Sequence, residues 1–208
     1  MVHRREVNDE TLILGNQGAL WGNAMTWWDH STGSVWSQPL GEAIAGPRKG
    51  ERLENLPVEF TTWGAWKEAH PDTLALVADG RPSRFALADF LIVLDTDDET
   101  RSWPVPDVQG QGVINDVVGG QPVAVVSDPT NAQRWIVLSR EVAGTEVDLE
   151  IADLVLRDRI TGSTFDPVRG FGLSGPLMDE SLALLPGFTS FPDDFATFWP
   201  DGSIWSGG

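Results

Sequence analysis

The chain has 208 residues, 41% of them hydrophobic, with ten Trp and nine Phe; that surface suffices for one large or two small cores and excludes a disordered chain. A net charge of -17 excludes nucleic acids and anionic membranes as partners, because both present phosphate. With no Cys there is no disulfide or thiol chemistry, and no apolar run reaches the roughly 20 residues of a transmembrane segment.

In chain order, residues 7–11 predict a hairpin turn leading into a strand at Leu12-Ile13-Leu14. Met25-Thr26-Trp27-Trp28 is a second strand. Asp29-His30-Ser31-Thr32-Gly33 is a tight turn, in which Asp accepts backbone N–H groups and Gly supplies a positive φ. Residues 34–38 alternate and return as a strand. A Thr cap and apolar residues three apart predict a short helix at 62–69, stopped by His70-Pro71. Residues 91–94 and 101–103 form a hairpin around the acidic turn Asp95-Thr96-Asp97-Asp98. Further strands are expected at 122–126, 134–138 and 147–151. Residues 190–199 repeat the short helix, with Pro and two acids in its first turn.

Two stretches match without gaps, from Asp29 to Asp72 and from Asp158 to Asp201, at a shift of 158 − 29 = 129 residues. The identities include Thr32/Thr161, Gly33/Gly162, Gly41/Gly170, Gly46/Gly175, Pro47/Pro176, Leu56/Leu185, Pro57/Pro186 and Pro71/Pro200. Gly, Pro and Asp fix turns, so a shared register among them means a duplicated backbone path. Arg4-Arg5-Glu6-Val7 resembles Ser139-Arg140-Glu141-Val142, while the block upstream of it in copy two has no counterpart in copy one. The fold class expected is mainly β with a few short helices, in two related internal repeats, the first incomplete. Residues 1–78 are the second half of repeat one, 79–90 a linker, and 91–208 the complete repeat two. The chain is therefore expected to be truncated. The face that the missing half would cover should favour self-association.

The run from Met25 to Gln38, then Gly41-Glu42-Ala43-Ile44-Ala45-Gly46-Pro47, resembles the domain of unknown function 3179 family. So do Leu53-Glu54-Asn55-Leu56-Pro57, Thr61-Thr62-Trp63, His70-Pro71-Asp72-Thr73 and, in copy two, residues 113–123. The resemblance covers nearly the whole chain. It implies an uncharacterised bacterial or archaeal protein that is exported or held at the cell surface. It also implies an upstream segment with a His and a Cys-Pro-Leu-Cys or Cys-Pro-Leu-Thr motif. The equivalent places in copy two are Gln111 and Ser127-Asp128-Pro129, so copy two lacks those ligands.

Several constellations carry candidate chemistry. The resemblance puts Met25 beside the Cys and His of the upstream segment, a donor set that suits copper or another soft metal in the full-length protein, with no cofactor in this chain alone. The other reading of Met25 is a core residue on a strand. Trp28, Asp29, Trp36, Gln38 and Glu42, with Trp27 and Trp63 nearby, are the candidate ligand-binding residues. Trp faces beside carboxylates and amides suit sugar rings, and paired carboxylates suit glycoside hydrolysis. The competing reading is an aromatic core with turn-capping acids. His3, His30 and His70 lack metal-ligand spacing. Asp95-Thr96-Asp97-Asp98-Glu99 lacks the Gly and closing Glu of a calcium loop and reads as an acidic turn. The leading expectation is a non-enzymatic extracytoplasmic binding or assembly module. The alternative is an enzyme or binding module acting on carbohydrate or cell-wall material through a Trp-lined face. The small-molecule or glycan ligand itself stays open.

Overall fold

A computed structural model of the protein describes residues 1–75 and 85–207. Short apolar runs punctuated by Gly, Asn and Asp become short strands joined by tight turns. In copy one, β1 (Glu6–Val7) and β2 (Glu10–Thr11) pair antiparallel. Asn8 and Asp9 between them both take positive φ, 50° and 63°, as a two-residue hairpin turn requires. A four-stranded meander follows, made of β3 (Leu14–Trp21), β4 (Ala24–Asp29), β5 (Val35–Ser37) and β6 (Ala43–Ala45) in that order. Helix α1 (Trp63–Ala69) closes the copy, with the Thr62 hydroxyl accepting the Ala65 N–H at 3.4 Å.

The expected strand at 12–14 catches only the start of β3. The strand runs on through Gly15 and Asn16, where pairing with β4 overrides weak local propensity, and the ladder resumes at Leu20 after an irregularity.

The central block holds β7 (Leu91–Asp95), β8 (Thr100–Pro104), α2 (Val105–Gln111), β9 (Val113–Val118), β10 (Gln121–Asp128) and β11 (Asn131–Ser139). Helix α2 was not expected, because Pro106, Gly110 and Gly112 speak against one. Pro sits in its first turn, where it costs no hydrogen bond, and Gly112 ends it at φ 75°. Burial of Val105 and Val108 holds it in place. The three-stranded sheet β11-β10-β9 is covered on both faces. Val123, Val125, Trp135 and Val137 enter one core and Ala124, Val126, Ile136 and Leu138 the other, as period-two alternation dictates.

Copy two then repeats copy one with β12 (Glu141–Val142), β13 (Thr145–Glu146), β14 (Leu149–Ala152), β15 (Val155–Asp158), β16 (Thr164–Phe165) and β17 (Gly172–Ser174). It ends with β18 (Phe188–Ser190), α3 (Pro192–Phe198) and β19 (Ser203–Ile204). The last sheet has the order β18-β7-β8-β19, with β19 parallel to β8. The architecture is thus mainly β, in two related copies.

The duplication extends to single hydrogen bonds. Arg4 N–H to the Glu54 carbonyl corresponds to Ser139 N–H to the Ala183 carbonyl, each 2.8 Å. Leu12 to Arg5 corresponds to Val147 to Arg140, and Leu53 to Gly41 corresponds to Leu182 to Gly170. The bridge His3–Asn55 answers Leu138–Leu184, and Glu42–Arg52 answers Phe171–Ser181. Leu14 matches Leu149, a shift of 149 − 14 = 135, whereas Asp29 matches Asp158 at 129, so the β3–β4 hairpin is six residues longer than β14–β15. The longer hairpin reaches copy two, where Trp21 packs on Phe198 with ring centroids 5.4 Å apart.

The expected boundary at residue 78 and the first part of the 79–90 linker lie outside the described residues. Residues 85–90 carry a 3-10 turn at Leu87–Asp89, and Leu87 and Phe90 pack against the central core.

Candidate functional site

Of the candidate residues, Asp29 has the most complete explanation. It is fully buried at the end of β4. One carboxylate oxygen accepts the Ser31 hydroxyl and the Thr32 N–H; the other accepts the Trp36 indole N–H at 3.0 Å. The Thr32 hydroxyl also donates to this carboxylate. Burial pushes its pKa upward, but the hydrogen bonds from Trp36, Thr32 and Ser31 outweigh burial and hold it well below the usual carboxylate range. Asp158 does the same work in copy two. Phe165 replaces the tryptophan there, and the N–H groups of Asp148 and Ile160 fill the vacated oxygen. Burial again opposes and hydrogen bonding again prevails, lowering the Asp158 pKa.

The Trp-lined face does not assemble. Trp36 is fully buried in the core of copy one with Leu12, Ala43 and Leu53, so it shows no ring to solvent. Trp28 pairs across the sheet with Val35, and Trp27 with Trp36. Successive residues of a strand point to opposite faces, so Trp28 and Trp36 lie on opposite sides of the sheet. Trp28 instead stacks on His30, with centroids 4.2 Å apart and planes 12° apart. Glu42 is held by Arg52 at 2.9 Å. The carboxylates of Asp29 and Glu42 are therefore both committed to structural partners. Trp63 sits half-exposed on α1, and nothing brings it to the others.

Two of the candidates do meet. The Gln38 N–H, just past the end of β5, donates to the Met25 carbonyl on β4 at 3.2 Å, which sets the two residues side by side. Both line a cleft of about 290 Å³ between the copies. Copy one adds Met1 and Pro39; Phe90, Ser190, Phe191 and Asp194 close the other side. Asp194 makes no ion pair among the described residues. The sequence reading missed this far wall. Ser190-Phe191-Pro192 showed only the start of a helix, and no local pattern says that it faces Gln38.

His3 stands behind the cleft. Its Nε2 lies 2.8 Å from the Gln38 carbonyl and 3.3 Å from Met1 Sδ. A carbonyl only accepts, so Nε2 carries the proton, and the lone pair is on Nδ1. Nδ1 is buried without a partner and faces Gly41, where a Cβ would come within 2.8 Å of it. Gly41 is needed there, both for this close approach and for its φ of 60°. Burial lowers the His3 pKa, with the Gln38 carbonyl opposing.

These details test the soft-metal reading. The cleft offers the thioethers of Met1 and Met25, but the imidazole of His3 turns its lone pair away from them. Among the described residues, no group of three His, Cys, Asp or Glu is placed to hold a metal. The described residues of this cleft do not by themselves fit a soft-metal centre. A second, larger cleft of about 410 Å³ includes Asp95, Asp97, Asp98 and Glu99 with Arg52 and Trp199. Its acids belong to a turn closed by the Thr96 N–H and hydroxyl, both donating to the Glu99 carbonyl. No described helix is long and apolar enough to cross a membrane.

The model of the family described as "Protein of unknown function (DUF3179)" matches residues 1–87 and again 82–207, two adjacent matches that agree with the repeat. No curated protein and no solved structure matches the chain.

Proposed function

We propose that this chain, which belongs to the DUF3179 family of proteins of unknown function, is a non-enzymatic binding module whose ligand enters the cleft between its two repeats. One observation carries the reading: Met25 and Gln38 line that cleft together, while Trp36, Asp29 and Glu42 are spent on the interior and on an ion pair. A cleft whose walls mix polar and apolar surface suits a small amphipathic molecule. Gln38, Ser190 and Asp194 supply polarity, and Phe90, Phe191 and the two methionines supply apolar surface. The carbohydrate alternative draws less support, because Trp36 is buried and the carboxylates of Asp29 and Glu42 are taken by Trp36 and Arg52. Function outside the cytoplasm rests on the family resemblance alone, and fractionation of cells making the native protein tests it.

The binding reading is tested by NMR on protein with labelled methionine methyl groups and glutamine amides. A fragment library, a glycan panel and Cu(I) are added in turn. The expected result is a set of fragments that move the Met25 methyl and the Gln38 amide together and lose affinity about tenfold on Gln38→Ala. If no compound in the three sets moves either signal, the cleft is not a ligand site. Response to Cu(I) alone restores the soft-metal reading.

A further inference from the structure

Residues 1–5 of copy one correspond to Ile136–Arg140 of copy two, at the shift 140 − 5 = 135 that also relates Leu14 to Leu149. One edge of the two segments is bonded alike. The Arg4 and Ser139 N–H groups donate to Glu54 and Ala183, and the Val2 and Val137 carbonyls accept from Leu56 and Leu185. The other edge differs. In copy two β10 runs antiparallel along it, with Val123 opposite Ser139 and Val126 opposite Ile136, and the Arg140 N–H donates to the Pro122 carbonyl at 2.9 Å. In copy one no described strand pairs there. The His3–Asn55 bridge is bonded through the Val2 carbonyl and the Arg4 N–H, so the N–H and carbonyl of His3 point to the open edge.

Exposure divides the copies in the same way. Val137 and Arg140 are 1% and 7% exposed, whereas Val2 is 47% exposed and Arg5 is exposed too. Leu149 and Leu156 are buried in one core with Ala124, Val126, Ile136 and Leu138, whereas their counterparts Leu14 and Trp27 are only partly covered. The Asn115 side chain of β9 holds the Leu149 N–H at 3.1 Å and the Leu149 carbonyl at 2.7 Å. The same groups of Leu14 point away from β4, because the His30 N–H takes the Ile13 carbonyl, and no described residue bonds them. Arg140 ties the pieces of copy two together. Its guanidinium donates to the carbonyls of Val123 on β10 and Asp116 on β9, at 3.0 and 3.3 Å. Copy one keeps this arginine as Arg5, which makes no ion pair and no side-chain hydrogen bond among the described residues.

We infer that copy one is a docking surface for a β-hairpin of a partner protein. One strand adds antiparallel to the edge at residues 2–5, the next meets Leu14, and Arg5 donates to carbonyls of both. The chemistry of the occupant is that of β9 and β10: β-branched residues in alternation, with apolar side chains turned to Leu14 and Trp27. Copy two argues for this occupant, since the same backbone path and the same arginine are covered there by such a hairpin. A second copy of this chain does not offer one. Its β10 is paired on both sides by β9 and β11, and its β9 is fastened to Leu149 through Asn115. Strand addition draws affinity from main-chain hydrogen bonds and selectivity from alternate side chains. The inference goes beyond the small-molecule reading and does not depend on what enters the cleft.

The test titrates the full chain, isotope-labelled at its amides and leucine methyls, with a synthetic peptide of residues 113–128, which spans β9 and β10. Saturable shifts of the His3 and Arg5 amides and the Leu14 methyls are expected together, with amide exchange at His3 slowed about tenfold or more. Arg5→Ala weakens the peptide about tenfold, as loss of hydrogen bonds from a charged donor gives, and leaves the unfolding midpoint of the free chain unchanged. Arg5→Lys recovers only part of the loss, because an ammonium lacks the fork that reaches two carbonyls. A peptide carrying Ala124→Pro lacks an N–H that the ladder needs and does not bind. A natural peptide that leaves His3, Arg5 and Leu14 unmoved overturns the inference, and so does one that binds equally well with Ala124→Pro or to Arg5→Ala. A dimer on sedimentation, with the His3 amide already protected before peptide is added, also overturns it, because a second copy then fills the edge. Shifts confined to Met25 and Gln38 put the peptide in the cleft and refute edge docking.

Discussion

Asp29 shows how much one side chain carries here. It receives donors from Ser31, Thr32 and Trp36 and holds the chain reversal between β4 and β5. Its folded pKa is depressed, so the stability it contributes is present above the normal carboxylate range and is lost as pH falls through that range toward the folded value. Asp29→Asn is therefore expected to cost roughly 2–3 kcal/mol at pH 7, because charged-acceptor bonds weaken and a donor faces a donor. Urea unfolding at pH 7 and at about pH 3 checks this, since the gap from the natural protein must narrow at the lower pH. A gap independent of pH refutes the account. The role was legible in the sequence, because Asp followed by Thr and Gly at fixed offsets recurs in both copies. The burial of Trp36 was not, because alternation gives two faces without saying which is inside.

Helices α1 and α3 occupy equivalent places and have unequal support. In α3, Phe195 and Phe198 are buried against Leu91, Val93 and Phe188. In α1 no residue is buried, and Trp63 and Trp66 are 50% and 37% exposed. The difference lies in β7, whose Leu91 and Val93 pack on α3 and which has no counterpart among the described residues of copy one. The Thr62 hydroxyl caps α1, whereas α3 has no side-chain cap and carries instead Pro192 and two acids in its first turn; the larger difference is packing, which supplies most of a short helix's stability. Phe195→Ala is expected to cost about 3–5 kcal/mol and Trp66→Ala less than about 1 kcal/mol, as measured by denaturant unfolding. Amide exchange should likewise be much faster at Trp66 and His70 than at Phe195 and Trp199. Equal protection in the two helices contradicts this. Both helices were readable from the sequence, because their caps and stops are local. Helix α2 was hidden, because its Pro and Gly residues read as a turn until burial of Val105 and Val108 is known.

At the scale of the molecule, the two copies hold each other through the Phe60–Trp135 bridge, the Glu59–Arg134 ion pair and the Trp21–Phe198 contact. Met1, Ala24 and Leu40 of copy one pack on the core around Phe188, Phe195 and Trp199. This shared core predicts one cooperative thermal transition for both copies. Against it works a net charge of -17, whose self-repulsion is long-ranged at low salt. Raising NaCl from about 20 mM to about 500 mM shortens the screening length from over 20 Å to below 5 Å, so Tm should rise by several degrees. Calorimetry reads both outcomes. Two separate transitions contradict the shared core, and a Tm that falls with salt means that ion pairs such as Glu59–Arg134 outweigh repulsion.

The sequence by itself determined the mainly β class, the duplication and its register, and the turn acids Asp29 and Asp158. These are local matters, written in Gly, Pro, Asp and alternation, and each copy spells them out again. Only the tertiary structure decided which aromatic rings are inside, that the β3–β4 hairpin, six residues longer than its counterpart, reaches α3, and that Met25 and Gln38 face Phe191 and Asp194. The last two depend on one copy packing against residues more than a hundred positions away, and even Trp36 is buried by residues from separate strands of its own copy. Contacts of that range are set by shape and burial summed over the whole fold, and no short stretch of residues encodes them.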